Sequence, residues 1–463
     1  MYKIKPKKPK KFDFDLIVIG SGPGGGVAAQ LAAAEGKRVG LIESHILGGD
    51  CFVNGCLPTK ALLKSALTLK TVQNAYQFGI KTSGASFNYR AVQAWKEKVL
   101  ASSGIQNETK VYQSEGITII HGAAHFLNPW VVSAGLRRYS ATKFLISTGA
   151  SPEIPDIPGL MSSGFITYKE AGHLLKPPRS LFIIGGGATA YEYAQIFSIF
   201  GTKVYIAEAK DHLLPKEDPE VSDSAEAALS SKGVFVCTNT KVTNVIGSPG
   251  RKIITFIWSN RQHRIAVEEV MVAVGDQPNI DIGLDNAVVD TTDNGIRVNR
   301  FMKTSAKHIF AAGDVIDINA SIQAAIQEGR IAVHNMFHRR KVAINLHAVP
   351  RCFHGDPEIA VVGKTEHELK TSGELYQTAI APIGIIGKAM TNNYSTGFVK
   401  IIATHSGILL GACIVAPYAS EMLQELTYAI EHHHYACTIS NTAHPFPSWN
   451  EAIRIAANKI KCI

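Results

Sequence analysis

The sequence predicts an α/β protein with two nucleotide-binding βαβ units and a separate C-terminal α+β domain. Three observations predict it. A short apolar strand runs into a glycine turn at Gly20, and the same arrangement recurs at Gly185. Beyond about residue 347 strands and helices mix with no third glycine turn. At 463 residues the chain is too long for one hydrophobic core.

Composition removes several classes of protein. A chain that is 46% hydrophobic and 18% charged is globular, not wholly disordered. Its longest apolar runs, such as Leu16–Ile19 and Val39–Ile42, are strand-sized, far below the roughly 18 residues a membrane span needs, so no membrane partner is expected. Residues 1–11 hold six lysines with no apolar stretch behind them, which reads as a basic disordered tail and not a secretory signal. A cytoplasmic protein is expected. The net charge is +9, and most of it sits in that tail, so the folded body does not point to nucleic acid. Seven cysteines spread along a long chain are not a secreted disulfide framework.

In order, Leu16–Gly20 is a strand, Gly25–Gly36 a helix and Arg38–Glu43 a second strand. Between the first two, Gly20-Ser-Gly22-Pro-Gly-Gly25 matches G-x-G-x-x-G. The first glycine permits the tight turn, the second lets backbone approach a pyrophosphate, and the third lets helix and strand pack closely. The phosphates then meet free N–H groups at a helix N-terminus. Glu43 ends the next strand, where a carboxylate can accept from ribose hydroxyls. Residues 51–77 read as a turn and a long helix, 89–110 as helix, and 117–120 and 143–147 as strands. The second unit repeats the design with strand Leu181–Ile184, helix Ala190–Phe200 and strand Lys203–Glu208. Gly185-Gly-Gly187-Ala-Thr-Ala190 fits G-x-G-x-x-A. Glu208 suits the free 2′-hydroxyl of NAD and would repel the 2′-phosphate of NADP(H); a solvated strand end is the plainer alternative. Two such units imply two dinucleotides, and electron flow between them points to a flavin fed by a nicotinamide.

The stretch Gly48-Gly-Asp-Cys51-Phe-Val-Asn-Gly-Cys56-Leu-Pro-Thr-Lys60 is the most informative. On an unbroken helix the two cysteine Cα atoms would lie roughly 8–9 Å apart, whereas a disulfide needs less than about 7 Å. A bonded pair therefore requires an interruption, which Asn54, Gly55 and Pro58 supply. At a helix entrance the Cys56 thiolate is favoured by the dipole, and Lys60 adds positive charge. A structural disulfide, two inert thiols or half a zinc site are the alternatives. No second C-x(2–4)-C exists, so no metal is expected.

Taken together these residues resemble the pyridine nucleotide-disulfide oxidoreductases, the flavoprotein disulfide reductases that include lipoamide dehydrogenase, glutathione reductase and mercuric reductase. The likeness runs from about residue 13 to residue 457. Ser147-Thr-Gly149-Ala-Ser-Pro152 looks like the family's interdomain crossing, and Phe310-Ala-Ala-Gly-Asp314 is similar to its second flavin motif. Val274-Gly275-x-x-Pro278-Asn279 and Asp356-Pro357-Glu358 also fit.

The resemblance implies two Rossmann-like domains, for FAD and NAD, and a dimerisation domain. An FAD-binding domain (12–150 and 280–346) is interrupted by an NAD-binding domain (151–279), and 347–463 form the dimerisation domain. It implies a homodimer, in which one subunit's C-terminal segment completes the other's site. Electrons would run from NADH through FAD to the disulfide, with Cys56 as charge-transfer thiol and Cys51 as interchange thiol. Lys60 and Glu192 match the family's ion pair beside the flavin. Cofactor contacts are implied at Gly20, Gly22, Gly25, Glu43, Gly49, Lys60, Gly122, Ala124, Thr148, Gly149, Gly185, Gly187, Ala190, Glu208, Val242, Gly275, Asp314 and Ile322.

The chain departs from the family near its end. In the H-P-x-x-x-E signature of lipoamide dehydrogenases and glutathione reductases, histidine is the general base and glutamate orients it. Counting back from Glu451, Phe446-Pro447 stands in the His-Pro place, and His444 lies two residues upstream. Either His444 takes the role with Glu451, or the base is missing, as in mercuric reductase. That enzyme's C-terminal cysteine pair is matched only by Cys462. Asp276 replaces a residue that relatives often have basic, which disfavours NADPH. His432–His434, adjacent on an expected helix, point to different faces and form no chelate. The first expectation is a mercuric reductase-like enzyme acting on a disulfide, a thiol-bound metal or a small oxidised partner. The second is a lipoamide dehydrogenase of a 2-oxoacid dehydrogenase complex. A redox-sensing binding protein is the alternative from another class.

Overall fold

A computed structural model describes residues 8–104, 108–316 and 321–463. The chain forms two compact units. Of the described residues, the first gathers 8–58, 94–104, 108–153, 275–316 and 321–346; the second gathers 59–93, 154–274 and 347–463.

In the first unit a parallel sheet has the strand order Thr118–His121, Val39–Glu43, Phe14–Ile19, Arg137–Ile146, with Ile309–Ala311 also pairing with the last of these. Leu16, Ile17 and Val18 are fully buried, as a parallel strand covered on both faces requires. The strand Arg137–Ile146 serves two sheets. Its second half pairs with Phe14–Ile19, and its first half pairs antiparallel with Val131–Ala134, which in turn pairs with Ala124–Asn128. Helices Pro23–Ala34 and Ile322–Phe337 cross at Gly24 and Gly329. A Cβ on Gly329 would lie 2.3 Å from the Gly24 carbonyl oxygen, so any side chain there would force the helices apart.

The second unit holds a parallel sheet ordered Phe235–Cys237, Lys203–Ala207, Ser180–Ile184, Glu269–Val272, with helix Ala188–Ile199 following the second glycine turn. An antiparallel meander, Lys241–Ser248, Arg251–Trp258 and Arg261–Val267, accompanies it. Past residue 347 comes the expected α+β part. Its five-stranded antiparallel sheet is ordered Arg351–Phe353, Glu358–Gly363, Leu409–Ala416, Phe398–Ala403, Gln377–Pro382. Helix Ala419–Glu431 and helix Glu451–Ala457 share its apolar core.

Three local expectations change. The helix expected over 89–110 is two helices, Tyr89–Ser102 and Glu108–Ser114; Gly104, with φ of +82°, stops the first. The three histidines lie past the end of helix Ala419–Glu431, in a turn where His433 takes φ of +54°, and not on a helix. Of the basic tail, residues 1–7 lie outside the described residues, while Lys8 places its ammonium 5.0 Å from the Trp130 ring centroid. Among the described residues no helix is long and apolar enough to cross a membrane.

The second unit also buries an ammonium. Lys400 Nζ, 1% exposed, lies 2.9 Å from Asp218, 3.2 Å from Glu220 and 2.5 Å from Glu366. Those three carboxylates stand close enough to hold a metal ion, but the lysine already occupies their centre.

Candidate active site

In the first unit, Gly20 takes φ of +97°, and a Cβ there would lie 2.2 Å from the Ser147 carbonyl oxygen. A Cβ on Gly25 would lie 2.0 Å from the Gly20 carbonyl oxygen, which is the close helix–strand approach expected of a third glycine. Gly22 differs. It is the N-cap of helix Pro23–Ala34, it offers no side-chain cap, and the space its Cβ would take is open. Gly49, with φ of +75°, faces the Gly22 Cα, so both walls of this opening are bare backbone. The uncapped N–H groups and the clearance fit a pyrophosphate. Glu43 is buried. One of its oxygens accepts from the Ser21 N–H (3.0 Å) and hydroxyl (2.7 Å), and the other accepts from the His45 N–H.

The remaining first-unit candidates are spread around the same sheet. Gly122 takes φ of +138°, and Ala124 is buried in its strand. Thr148 donates to the Asn279 carbonyl, Asn279 Nδ2 donates to the Thr148 carbonyl, and the Asn279 N–H reaches the Gly149 carbonyl. The two chain crossings are thereby tied side by side. Gly275, on the second crossing, accepts from the Glu153 N–H. Asp314 follows Gly313, whose N–H donates to Glu328 Oε2 at 2.7 Å. Ile322 opens its helix behind Ser321, whose hydroxyl caps the Ala324 N–H.

The second glycine turn, in the second unit, repeats the design of the first. A Cβ on Gly185 would lie 2.2 Å from the Ala273 carbonyl oxygen, Gly187 is an uncapped N-cap beside open space, and Ala190 is fully buried. Glu208 is buried and accepts from the Gly186 and Lys210 N–H groups at 2.5 and 2.7 Å. It is therefore a fixed anion at the strand end and not a solvated one. Val242 is buried in the meander.

The cysteine segment is interrupted as its spacing requires. Cys51 lies in the short helix Asp50–Val53, the chain breaks at Asn54 and Gly55, and Cys56 begins the helix Cys56–Gln73. The Asn54 and Gly55 N–H groups both return to the Asp50 carbonyl, which closes the break. Pro58 sits in the first turn, where a missing N–H costs nothing. Cys51 is half-buried and Cys56 exposed. Other thiols are set apart by burial, which pushes Cys352 up to about 11 and Cys413 well above its ordinary value, so both stay neutral near pH 7.

In the second unit Lys60 Nζ donates to both oxygens of Glu192, at 2.8 and 2.7 Å. The His354 N–H also donates to Glu192, at 3.0 Å, so this buried carboxylate is held from two sides. Near the C-terminus Phe446 is 79% exposed, with its ring against Gly387. His444 and Glu451 are not paired. The His444 ring is 4% exposed, with Nδ1 2.8 Å from the Thr442 carbonyl and Nε2 3.0 Å from Glu425. Both ring nitrogens are thereby engaged by oxygen atoms, and neither faces Glu451. Glu451 Oε2 is buried without a hydrogen-bond partner among the described residues.

Sequence reasoning missed Glu328, His354 and Glu425. Glu328 is the one acid of helix Ile322–Phe337; the other two meet their partners only through tertiary contact.

Two glycine-turn βαβ units, a C-x4-C helix entrance and an antiparallel C-terminal sheet define a flavin- and nicotinamide-type oxidoreductase. The chain belongs to the pyridine nucleotide-disulphide oxidoreductase family, whose main domain matches residues 14–329 and whose dimerisation domain matches residues 349–457. Members of the family are enzymes that use FAD and a pyridine nucleotide. The chain is 33% identical to a dihydrolipoyl dehydrogenase of Bacillus subtilis over 466 residues, covering 96% of this chain and 97% of that protein. It is 29% identical to a mercuric reductase of Staphylococcus aureus, covering 96% and 82%. Among solved structures, the HOCl-induced flavoprotein disulfide reductase RclA from Escherichia coli is similar with a TM-score of 0.85 at 25% identity, covering 96% of this chain and all of that one.

Proposed function

We propose that this enzyme carries electrons from NADH through FAD to Cys51 and Cys56, and on to a thiol-bound metal ion or another small oxidised acceptor, as a mercuric reductase-like protein. Bound FAD supplies the two-electron relay between a hydride donor and a dithiol. The glycine turns at Gly20–Gly25 and Gly185–Ala190 hold the two pyrophosphates. Cys51 attacks the acceptor, and Cys56 then attacks Cys51 to release the reduced product and close the disulfide. Lys60, anchored by Glu192, keeps a positive charge one turn beyond Cys56. Glu208 turns away a 2′-phosphate, which makes NADH the donor. A homodimer and a cytoplasmic location accompany this reading.

The observation that carries the choice of acceptor is the exposed Phe446 in the histidine position, with His444 buried against Glu425. An acceptor that binds thiolate directly needs no imidazole to take up its proton, whereas reversible lipoamide exchange does. The likeness to dihydrolipoyl dehydrogenases favours lipoamide as the second reading. One panel separates them: NADH-driven turnover with lipoamide, Hg²⁺, Cu²⁺ and quinones, repeated with NADPH. We expect a metal or quinone acceptor to outrun lipoamide by at least about tenfold, NADPH to be slower throughout, and His444→Ala to change little. Brisk lipoamide turnover that disappears in His444→Ala would overturn the ranking.

A further inference from the structure

The C-terminal segment of the second unit is docked, and its docking brings two further cysteines together. The Lys461 N–H donates to Gln377 Oε1 (3.0 Å), while Gln377 Nε2 donates to the Lys461 carbonyl (2.7 Å), so one side chain grips both polar groups of that residue. Ile460 is buried, and the Ile463 N–H reaches the Ser406 carbonyl. Cys462 is thereby held against the short helix Ala436–Asn441. Its sulfur accepts the Cys437 N–H at 3.1 Å. Gly407, with φ of +95°, makes room: a Cβ there would lie 2.8 Å from the Cys462 sulfur. Both thiols are half-buried, so small solutes can reach them.

We propose that Cys437 and Cys462 form a second dithiol, a modification site at which a small-molecule disulfide joins the two sulfurs and fastens the C-terminal segment to the helix Ala436–Asn441. Their geometry suits it. The Cys462 sulfur rests 3.1 Å from the Cys437 amide nitrogen, one bond from the Cys437 Cα, so side-chain rotation can bring the two sulfurs together. The reaction is a double exchange. The thiolate of one cysteine attacks the small disulfide, forms a mixed disulfide and expels one thiolate. The second cysteine, losing its proton to solvent, attacks the protein-bound sulfur and expels the other. Two protein thiols are oxidised by two electrons, and one small disulfide becomes two small thiols. The site is independent of Cys51 and Cys56 and of the acceptor they serve.

The test uses the full-length, FAD-loaded enzyme treated with glutathione disulfide near pH 8, its remaining thiols blocked, and a digest mapped without reduction by mass spectrometry. We expect one linked peptide pair containing Cys437 and Cys462, two hydrogens lighter than the sum of the reduced peptides, and absent from Cys462→Ser. Amide exchange at Lys461 and Ile463 should slow by about tenfold on oxidation of the wild type and stay unchanged in that variant. Cys437→Ala, which leaves the segment's own residues intact, should behave as Cys462→Ser does. Recovery of both cysteines as separately blocked or separately glutathionylated peptides would overturn the proposal. Tail exchange that slows equally in the variants would overturn it too.

Discussion

With Cys51 replaced by serine, steady-state reduction of a disulfide or metal acceptor falls by roughly 10³-fold or more, while NADH still reduces the bound flavin within about threefold of the wild-type rate. The split follows from the chain's geometry. Cys51 lies in its own short helix ahead of the break, half-buried, and Cys56 opens the next helix, so the two sulfurs occupy separate positions and are not interchangeable. On the proposed route, removing Cys51 deletes the nucleophile for the acceptor and leaves both glycine turns untouched. Stopped-flow flavin bleaching beside steady-state turnover measures both halves on one preparation. Equal losses in the two would mean that Cys51 is structural.

Lys400→Met is expected to cost about 3–5 kcal/mol of folding free energy, because it strands a cluster of carboxylates that this ammonium bridges. Lys400 and Asp218 are 1% and 4% exposed, and Glu366 is 18% exposed, so water cannot replace the lost cation. Urea unfolding of the FAD-loaded enzyme reads the loss as a lower midpoint with the slope unchanged. A pH signature goes with it. Burial alone would raise the Glu366 carboxyl, but the hydrogen bond and charge of Lys400, with a Tyr376 hydrogen bond and the Lys370 charge, hold the group below its ordinary 4.5. Its stabilising contribution is therefore full above that value and fades as pH falls through the lower folded-state value. Without Lys400 burial regains weight, so that acid-side loss of stability should shrink or reverse. A loss under about 1 kcal/mol would show the pair to be solvent-compensated.

Much of the chemistry was legible because it is local. The Gly20 and Gly185 turns each need a positive φ and a bare second glycine within six residues, and the Cys51–Cys56 spacing forbids a continuous helix if the two are to meet. The apolar runs at Leu16 and Leu181 had to be buried parallel strands for the same reason. What escaped reading depends on contacts between distant segments. Glu425 precedes His444 by 19 residues and captures its ring, so the choice between a base and a buried structural histidine could not be made from the signature alone. Lys400 draws its partners from two other stretches, and Cys462 finds Cys437 only because Gln377 clasps the intervening backbone. The split of the 89–110 helix was readable in principle from Gly104; helical periodicity on both sides masked it.

The proposed electron route runs through Cys56. Anaerobic titration of the FAD-loaded enzyme with one equivalent of NADH measures this directly, by following absorbance beyond the flavin's own bands. The wild type and Cys51→Ser should both develop a long-wavelength band from a thiolate beside the flavin, and Cys56→Ser should develop none. An undiminished band in Cys56→Ser would contradict the assignment of that thiol and, with it, the route proposed for the electrons.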